Sequence, residues 1–227
     1  MKFYHSGSGR KFTRICEAIE WNPEEHHMIS FVGAGGKTTF IYAMAEELKE
    51  MGYRVIITTT THMAKPEHDF RECPLISALD PGESITVGSD CKNGKIAGPH
   101  GTDVKDLLSK ADVVLVEADG SKRKPLKVPA AHEPVIPKGT DLLIGVLGYN
   151  SVGNTIEEVS HRAKDVAAFL QKETKDIVTV QDMQKISFDR RGLLKDVAYP
   201  YRIVWNRWRK EEIDVGTRFS ILFCEEE

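Results

Sequence analysis

A short glycine-rich segment contains the residue types that bind polyphosphate. It reads Gly33-Ala34-Gly35-Gly36-Lys37-Thr38-Thr39 and follows an apolar stretch that is typical of a strand. Glycines let backbone amides approach a phosphate, a lysine neutralises its charge, and a hydroxyl can serve a magnesium ion. We therefore expect this loop to hold a nucleoside triphosphate, ATP or GTP, together with Mg²⁺.

The segment departs from the strict Walker pattern GxxxxGK[ST]. That pattern requires glycine at position 31, where this chain has Phe31. The match is to a shorter loop, in which Gly33 and Gly36 precede Lys37 and Thr38. Because a predicted strand precedes the loop and a helical pattern follows it, phosphate binding is favoured over an incidental glycine-rich turn.

Two acidic residues follow another apolar stretch, residues 112–116. Glu117 and Asp119 stand at the C-terminal end of this predicted strand, where a carboxylate can reach a metal beside bound phosphates. One of them could serve magnesium together with Thr38 while the other orients a water or a substrate, and the residues leave that assignment open. A solvated acidic turn is the alternative.

Other polar residues could face a substrate or sense the terminal phosphate, and each also has a structural explanation. Threonines are favoured in strands, basic loop residues are often simply solvated, and a lone histidine is more often structural than catalytic. The candidates at the end of the second strand and in the basic loop are Thr60, Thr61, His62, Lys122, Arg123, Lys124 and Lys127. Weaker candidates are the pairs His132-Glu133 and His161-Arg162.

The elements that must position these residues alternate between strand and helix. The order strand, glycine loop, helix, strand predicts a βαβ unit and hence a parallel sheet. Gly52 stands where a helix C-cap belongs. The hydrophobic patterns predict strands at residues 28–32, 54–59, 112–116, 142–147, 177–180 and 201–205, the last being the final strand, and helices near 12–19, 40–51, 103–108 and 155–170.

Two stretches lack a regular pattern. We expect residues 63–112 to form an insertion or flap, with a small hairpin between residues 84–87 and 95–97. Prolines at positions 125, 129, 134 and 137 keep residues 122–138 irregular. Long ordered loops in compact domains are often functional.

The composition is that of an ordinary globular protein. A length of 227 residues suits a single α/β domain, residues 1–227, that carries this insertion. Thirty-one basic residues against 34 acidic ones give a net charge of −3, so neither nucleic acid nor an acidic membrane is expected as a partner. The four cysteines form no CxxC pair, and the apolar runs are too short to span a bilayer, so we expect a cytoplasmic protein with reduced thiols.

Several segments resemble, in order, those of the YqeC family, described as accessory proteins of selenium-dependent molybdenum hydroxylases. The most specific is residues 116–122, VEADGSK, continued by KVPAAHEPVIP from Lys127. The loop at 32–39, TTTTHM at 58–63, GKIAG at 94–98 and His161-Arg162 also match. By this resemblance Ser121, Lys122, His132, Glu133, His161 and Arg162 become candidate site residues, with His132 as a possible catalyst.

The resemblance implies a P-loop NTPase fold, mostly parallel and flanked by helices, and an NTPase or NTP-driven transferase acting beside molybdenum-cofactor or hydroxylase maturation proteins. The second substrate, a small molecule or a protein, is not identified by it. A nucleotide-gated scaffold or chaperone with negligible turnover is the alternative. The loop also resembles the GxxGKTT segment of Mur ligases, so an ATP-dependent ligase is a third possibility.

Base recognition departs from a common pattern. Where related domains often place Asn-Lys-x-Asp, this chain has Asn206-Arg207-Trp208-Arg209. An arginine cannot accept hydrogen bonds from guanine as an aspartate does. Guanine specificity is therefore not predicted, although Asn206 remains a candidate nucleotide-binding residue.

Overall fold

The computed structural model describes residues 1–73, 76–208 and 220–225. The strands in these ranges are β1 Phe3–His5, β2 Lys11–Phe12, β3 Met28–Gly33, β4 Val55–Thr59, β5 His62–Ala64, β6 Phe70–Glu72, β7 Ser84–Asp90, β8 Lys95–Ala97, β9 Val113–Glu117, β10 Leu142–Gly148, β11 Tyr201–Trp208 and β12 Ile221–Glu225. They join in the order β2-β1-β12-β11-β10-β3-β9-β4-β7-β8-β5, with β6 beside β7.

The interior of this mixed sheet is parallel. Strands β12, β11, β10, β3, β9, β4 and β7 run in the same direction. Several of them are buried along their whole length, which is typical of a parallel sheet covered on both faces. Because β3 lies between β9 and β10, the carboxyl ends of all three strands meet where the glycine loop begins.

Helices cover both faces, which confirms the α/β class. They are α1 Ile15–Ala18, α2 Lys37–Glu50, α3 Ile156–Val159, α4 Ala163–Leu170 and α5 Val180–Phe188, with 3₁₀ helices at Val104–Ser109 and Tyr149–Ser151. Helices α1 and α2 share one hydrophobic core with the sheet, and α3, α4 and α5 share another. None of the helices in the described ranges combines the length and apolar character that a membrane span requires.

Helix α2 follows directly from its sequence pattern. Phe40, Met44 and Leu48 recur at helical spacing and are fully buried against the sheet. The helix begins at Lys37, one turn earlier than the apolar pattern alone indicates, and Gly52, with φ of 88°, follows its last turn as predicted. The glycine loop therefore leads straight into the helix.

The stretch predicted as a flap contributes to the sheet itself. Strand β7 pairs in parallel with β4, and its end pairs in antiparallel fashion with β8, where Ser89 lies opposite Ala97. A hairpin is therefore present where the sequence predicts one, but its first strand is longer and belongs to the main sheet. The buried β-branched residues Ile85 and Val87 explain why.

Three predictions in the C-terminal half are wrong. The helix predicted at residues 155–170 is two helices, because Arg162 takes a left-handed conformation with φ of 57° between them. Residues 177–180 form no strand beyond a single bridge at Ile177, since Thr179 caps α5 with its hydroxyl. Strand β11 is followed by β12, so it is not the last. The short strands β1 and β2 were not predicted, because strands of two or three residues carry little periodic signal.

Candidate functional site

The glycine loop connects β3 to α2 at the carboxyl edge of the sheet. Gly33, Gly35 and Gly36 all have positive φ, and Gly36 is the left-handed N-cap of α2. Ala34 is fully buried, and its N–H donates to the carbonyl of Val146 at 2.7 Å. This hydrogen bond attaches the loop to strand β10.

The start of α2 presents donors. The first N–H groups of a helix have no partner within it, and no side chain among the described residues caps this helix. Lys37 bends back over the loop, where its Nζ donates to the carbonyl oxygen of Gly33 at 2.6 Å, and the residue is only 3% exposed. Thr38 is half-buried and Thr39 is exposed. Backbone N–H groups and an ammonium therefore lie together, an arrangement suited to an anion.

Glu117 faces the helix start from the neighbouring strand. Register pairing places it opposite Phe31, and its Oε2 accepts a hydrogen bond from Thr38 Oγ1 at 2.6 Å. Burial raises the pKa of Glu117 above its ordinary value, although the charge of Lys37 and the hydroxyl of Thr38 oppose the shift. A hydroxyl and a carboxylate thus converge beside the loop.

Asp119 takes a different position. Both of its carboxylate oxygens accept from Gly33 N at 3.1 Å, and the carboxylate lies 3.2 Å from Lys37 Nζ and 3.1 Å from Lys127 Nζ. The residue is only 2% exposed. Its described partners are therefore donors and cations, and the structure brings Glu117, rather than Asp119, against Thr38.

The proline-rich segment is held by buried ion pairs. Lys127 is fully buried and donates to Glu133 Oε2 at 2.8 Å, while Arg162 binds the same carboxylate. Burial alone would raise the pKa of Glu133, but the hydrogen bonds from Arg162 and Lys127 outweigh it and lower the pKa to about 2. Lys195 donates to the carbonyl oxygens of Ala130, Ala131 and Glu133.

The two histidine candidates differ in environment. His132 is exposed in the turn that Lys195 fastens. His161 is half-buried, and its backbone N–H donates to the carbonyl oxygen of Leu126 at 2.8 Å. Burial, together with the charges of Arg162 and Lys127, lowers the pKa of His161. The imidazole of His161 is therefore favoured in its neutral form.

The threonines after β4 connect strand ends. Thr60 N–H donates to the carbonyl of Glu117 at 3.2 Å, and Thr60 Oγ1 donates to the carbonyl of Val135 at 2.6 Å. Thr61 N–H donates to Thr59 Oγ1, and His62 is exposed where β5 begins. The structure thus places Thr60 between the acidic strand end and the proline-rich segment, with His62 at the surface.

Residues 121–124 form a tight turn beside the glycine loop. Lys124 N–H donates to the carbonyl of Ser121 at 3.0 Å, and Lys122 and Arg123 between them have φ of 48° and 63°. The carbonyl of Lys124 accepts from Gly35 N at 3.2 Å. The side chains of Lys122 and Arg123 are exposed at this edge of the sheet.

Asn206 supports the loop from β11. Its Nδ2 donates to the carbonyl oxygen of Gly35 at 2.8 Å, and its Oδ1 accepts from the N–H of Arg207. A Cβ on Gly36, whose φ is 112°, would lie 2.3 Å from that same Nδ2, so a larger residue would be strained and would displace the Asn206 amide. Asn206 is therefore a loop-binding residue in this structure. Arg209, from the same sequence element, lies outside the described residues.

Comparison with known proteins places this arrangement in a family. The YqeC protein family model matches residues 29–164. The uncharacterised protein YqeC of Escherichia coli strain K12 is 35% identical over 192 residues, covering 78% of this chain and 74% of that protein. The chain belongs to the YqeC family. No solved structure matches it.

The family match covers nearly the whole site. Residues 29–164 include the glycine loop, Glu117, Asp119 and the segment from Ser121 to Arg162. Asn206 lies beyond the matched residues, as does Lys195, which holds the proline-rich segment rather than the loop. Lys195 was not predicted at all, and Lys127 was expected either to bind a second anionic substrate or to be solvated. No local pattern could have identified either, because their acceptors lie on other segments.

Proposed function

We propose that this member of the YqeC family is a P-loop NTPase-like protein that binds a nucleoside triphosphate and Mg²⁺ at the loop formed by Gly33, Ala34, Gly35, Gly36, Lys37, Thr38 and Thr39. The observation that carries the proposal is the 2.6 Å hydrogen bond between Thr38 Oγ1 and Glu117 Oε2. It joins a hydroxyl on the first turn of α2 to a strand-end carboxylate, beside a lysine and the first N–H groups of that helix, which no side chain of the described residues caps. This is the set of groups that a metal-bound polyphosphate needs.

The residues fit magnesium. Mg²⁺ prefers hard oxygen ligands and is usually held by one or two protein groups together with substrate phosphates. Thr38 and Glu117 would hold it directly or through water. The ion would supply neutralisation of the phosphate charge, while Lys37 and the N–H groups of α2 bind and orient the phosphates.

Asp119 suits a supporting role better than a metal role. Its carboxylate faces Lys37 and Lys127, so a cation would have to displace existing ion pairs. Its assignment to metal or to catalysis, like that of His132, stays a prediction. The polar groups that would meet a second substrate are Thr60, Thr61, His62, Ser121, Lys122, Glu133, His161 and Arg162.

The reaction we propose is NTP hydrolysis or NTP-driven transfer of a phosphoryl or nucleotidyl group. The family resemblance supports a place for it in the maturation of selenium-dependent molybdenum hydroxylases. A scaffold that binds nucleotide without turnover, or a ligase of the Mur type, uses the same loop. The side-chain amide of Asn206 is bonded to the loop, so its position favours neither ATP nor GTP.

Calorimetry with MgATP and with MgGTP tests nucleotide binding. The wild-type protein binds at least one of them, and Lys37→Ala abolishes binding because it removes the ammonium above the loop. Lys49→Ala is the matched control, since Lys49 lies exposed on the last turn of the same helix and its side chain, among the described residues, pairs only with Glu46. Unchanged affinity in Lys37→Ala would refute the site.

Phosphate release distinguishes an enzyme from a scaffold. We expect turnover that requires Mg²⁺ and that rises when a molybdenum-cofactor intermediate or a hydroxylase subunit is added. Nucleotide-dependent capture of such a protein without phosphate release would favour the scaffold. An acyl-phosphate intermediate would favour the ligase.

A further inference from the structure

Asp119 is shared between two buried lysines. Lys37 Nζ lies 3.2 Å from Asp119 Oδ1, and Lys127 Nζ lies 3.1 Å from Asp119 Oδ2. The side chains of Lys37, Asp119 and Lys127 are 3%, 2% and 0% exposed. Each oxygen of the carboxylate therefore has its own ammonium partner, and all three charges are removed from water.

A bound polyphosphate would compete for one of these partners. Lys37 is the loop lysine, so anionic phosphate oxygens would draw its ammonium away from Asp119. A buried carboxylate that loses its cation is strongly destabilising, because nothing replaces the lost hydration. A second cation on the same carboxylate avoids this loss of stability, because Asp119 stays paired when Lys37 moves to the phosphate.

Lys127 is well held for that purpose. Besides Asp119 it bonds to the carbonyl oxygen of Gly120 at 2.7 Å and to Glu133 Oε2 at 2.8 Å. Glu133 has Arg162 as a further partner, so it does not depend on Lys127 alone. The ammonium of Lys127 thus stays beside Asp119 whether or not Lys37 is engaged elsewhere.

We propose that Lys127 is a positioning residue for the phosphate loop. It keeps Asp119 paired when a polyphosphate takes Lys37, and so keeps the Asp119 carboxylate on the N–H of Gly33. This inference rests on the proposed nucleotide function. It explains why a basic residue of the proline-rich segment is fully buried rather than solvated.

A double-mutant cycle tests the proposal with whichever of MgATP and MgGTP the wild type binds more tightly. Lys127→Met should weaken the affinity about tenfold, because binding would strand the charge of Asp119. Adding Asp119→Asn should restore most of the lost affinity, because residue 119 then carries no charge that needs a cation. Lys195→Met is the control, because Lys195 holds the same segment through carbonyl oxygens. The affinity of this variant for the nucleotide should stay within about twofold of wild type.

Three outcomes would overturn the inference. They are unchanged affinity in Lys127→Met, loss in Lys127→Met without recovery in the double variant, and an equal loss in Lys195→Met. Should Lys127→Met fail to fold by circular dichroism, Asp119→Asn is compared with the double variant. Equal affinities support the proposal, and a weaker double variant contradicts it. A wild-type protein that binds neither nucleotide refutes the proposed function itself, and this inference with it.

Discussion

At the scale of single residues, Glu117 combines a structural cost with a proposed function. Burial raises its pKa, so the folded protein takes up a proton at Glu117 more readily than the unfolded chain does. The wild-type protein is therefore relatively more stable as the pH falls through the raised pKa. Such a carboxylate is retained when a function requires its charge.

The first prediction concerns Glu117→Gln. The amide keeps an acceptor for Thr38 but removes the buried charge. Without ligands, the melting temperature of the variant should therefore exceed that of the wild type at pH 8, and this difference should become smaller as the pH is lowered. Mg²⁺-dependent turnover should fall about tenfold or more. Calorimetric scans across pH and a phosphate-release assay measure both, and a less stable, fully active variant would contradict the prediction.

The second prediction concerns Glu133, whose pKa is lowered to about 2 although burial opposes the shift. An acid with a lowered pKa stabilises the fold above its unfolded pKa, and this stabilisation is lost as the pH falls through the folded pKa. Glu133→Gln should therefore lower the melting temperature at pH 7, and its difference from wild type should vanish between about pH 4.5 and pH 2. Glu24→Gln, on an exposed residue, should show no such difference.

At the scale of elements, the glycine loop is fixed by close backbone approach. A Cβ on Gly35 would lie 2.2 Å from the nitrogen of Gly148, at a φ of 80° that other residues rarely adopt. Gly52, after α2, has a φ of 88° but nothing within 4 Å. The two glycines share a backbone conformation and differ in the space around them.

The third prediction uses this contrast. Gly35→Ala should lose about 2 kcal/mol more stability than Gly52→Ala, because only the former combines strain with a backbone clash. Nucleotide affinity should be lost in Gly35→Ala and retained in Gly52→Ala. Urea unfolding and calorimetry measure the two effects. Equal stability losses would show that the loop can move to accept a side chain.

Sequence patterns predicted the elements that carry strong local signals. The strands around the loop, helix α2 and the strand-end position of Glu117 follow from apolar runs, helical spacing and glycine placement. The partners of Asp119 could not be predicted, because Lys127 and Lys37 reach it from other segments. The break at Arg162 was equally hidden, since apolar residues continue at helical spacing on both sides of it.

At the scale of the whole molecule, ligand binding at one sheet edge should stabilise the entire fold. A ligand present at 100 times its dissociation constant adds about 2.7 kcal/mol when it binds only the folded state. The loop is continuous with β3, and β3 lies at the centre of the sheet. Ligand binding at the loop should therefore stabilise the protein against global unfolding and not only against local opening of the loop.

The fourth prediction is a rise in melting temperature of about 5–10 °C with saturating nucleotide and Mg²⁺. Lys37→Ala should show no rise, and the wild type should show a smaller one when EDTA removes the metal. Scanning fluorimetry measures all three. A rise that EDTA leaves unchanged would argue against a metal at Thr38 and Glu117.

The pairing of β1 with β12 has a consequence for the order in which the sheet forms. Phe3 lies opposite Cys224, so β1 and β12 can pair only when two segments that are far apart along the chain come together. Closing so long a stretch of chain is slow and entropically unfavourable. Strands β3, β9 and β10 are joined by shorter stretches of chain, so the sheet around the glycine loop can form before β1 pairs with β12.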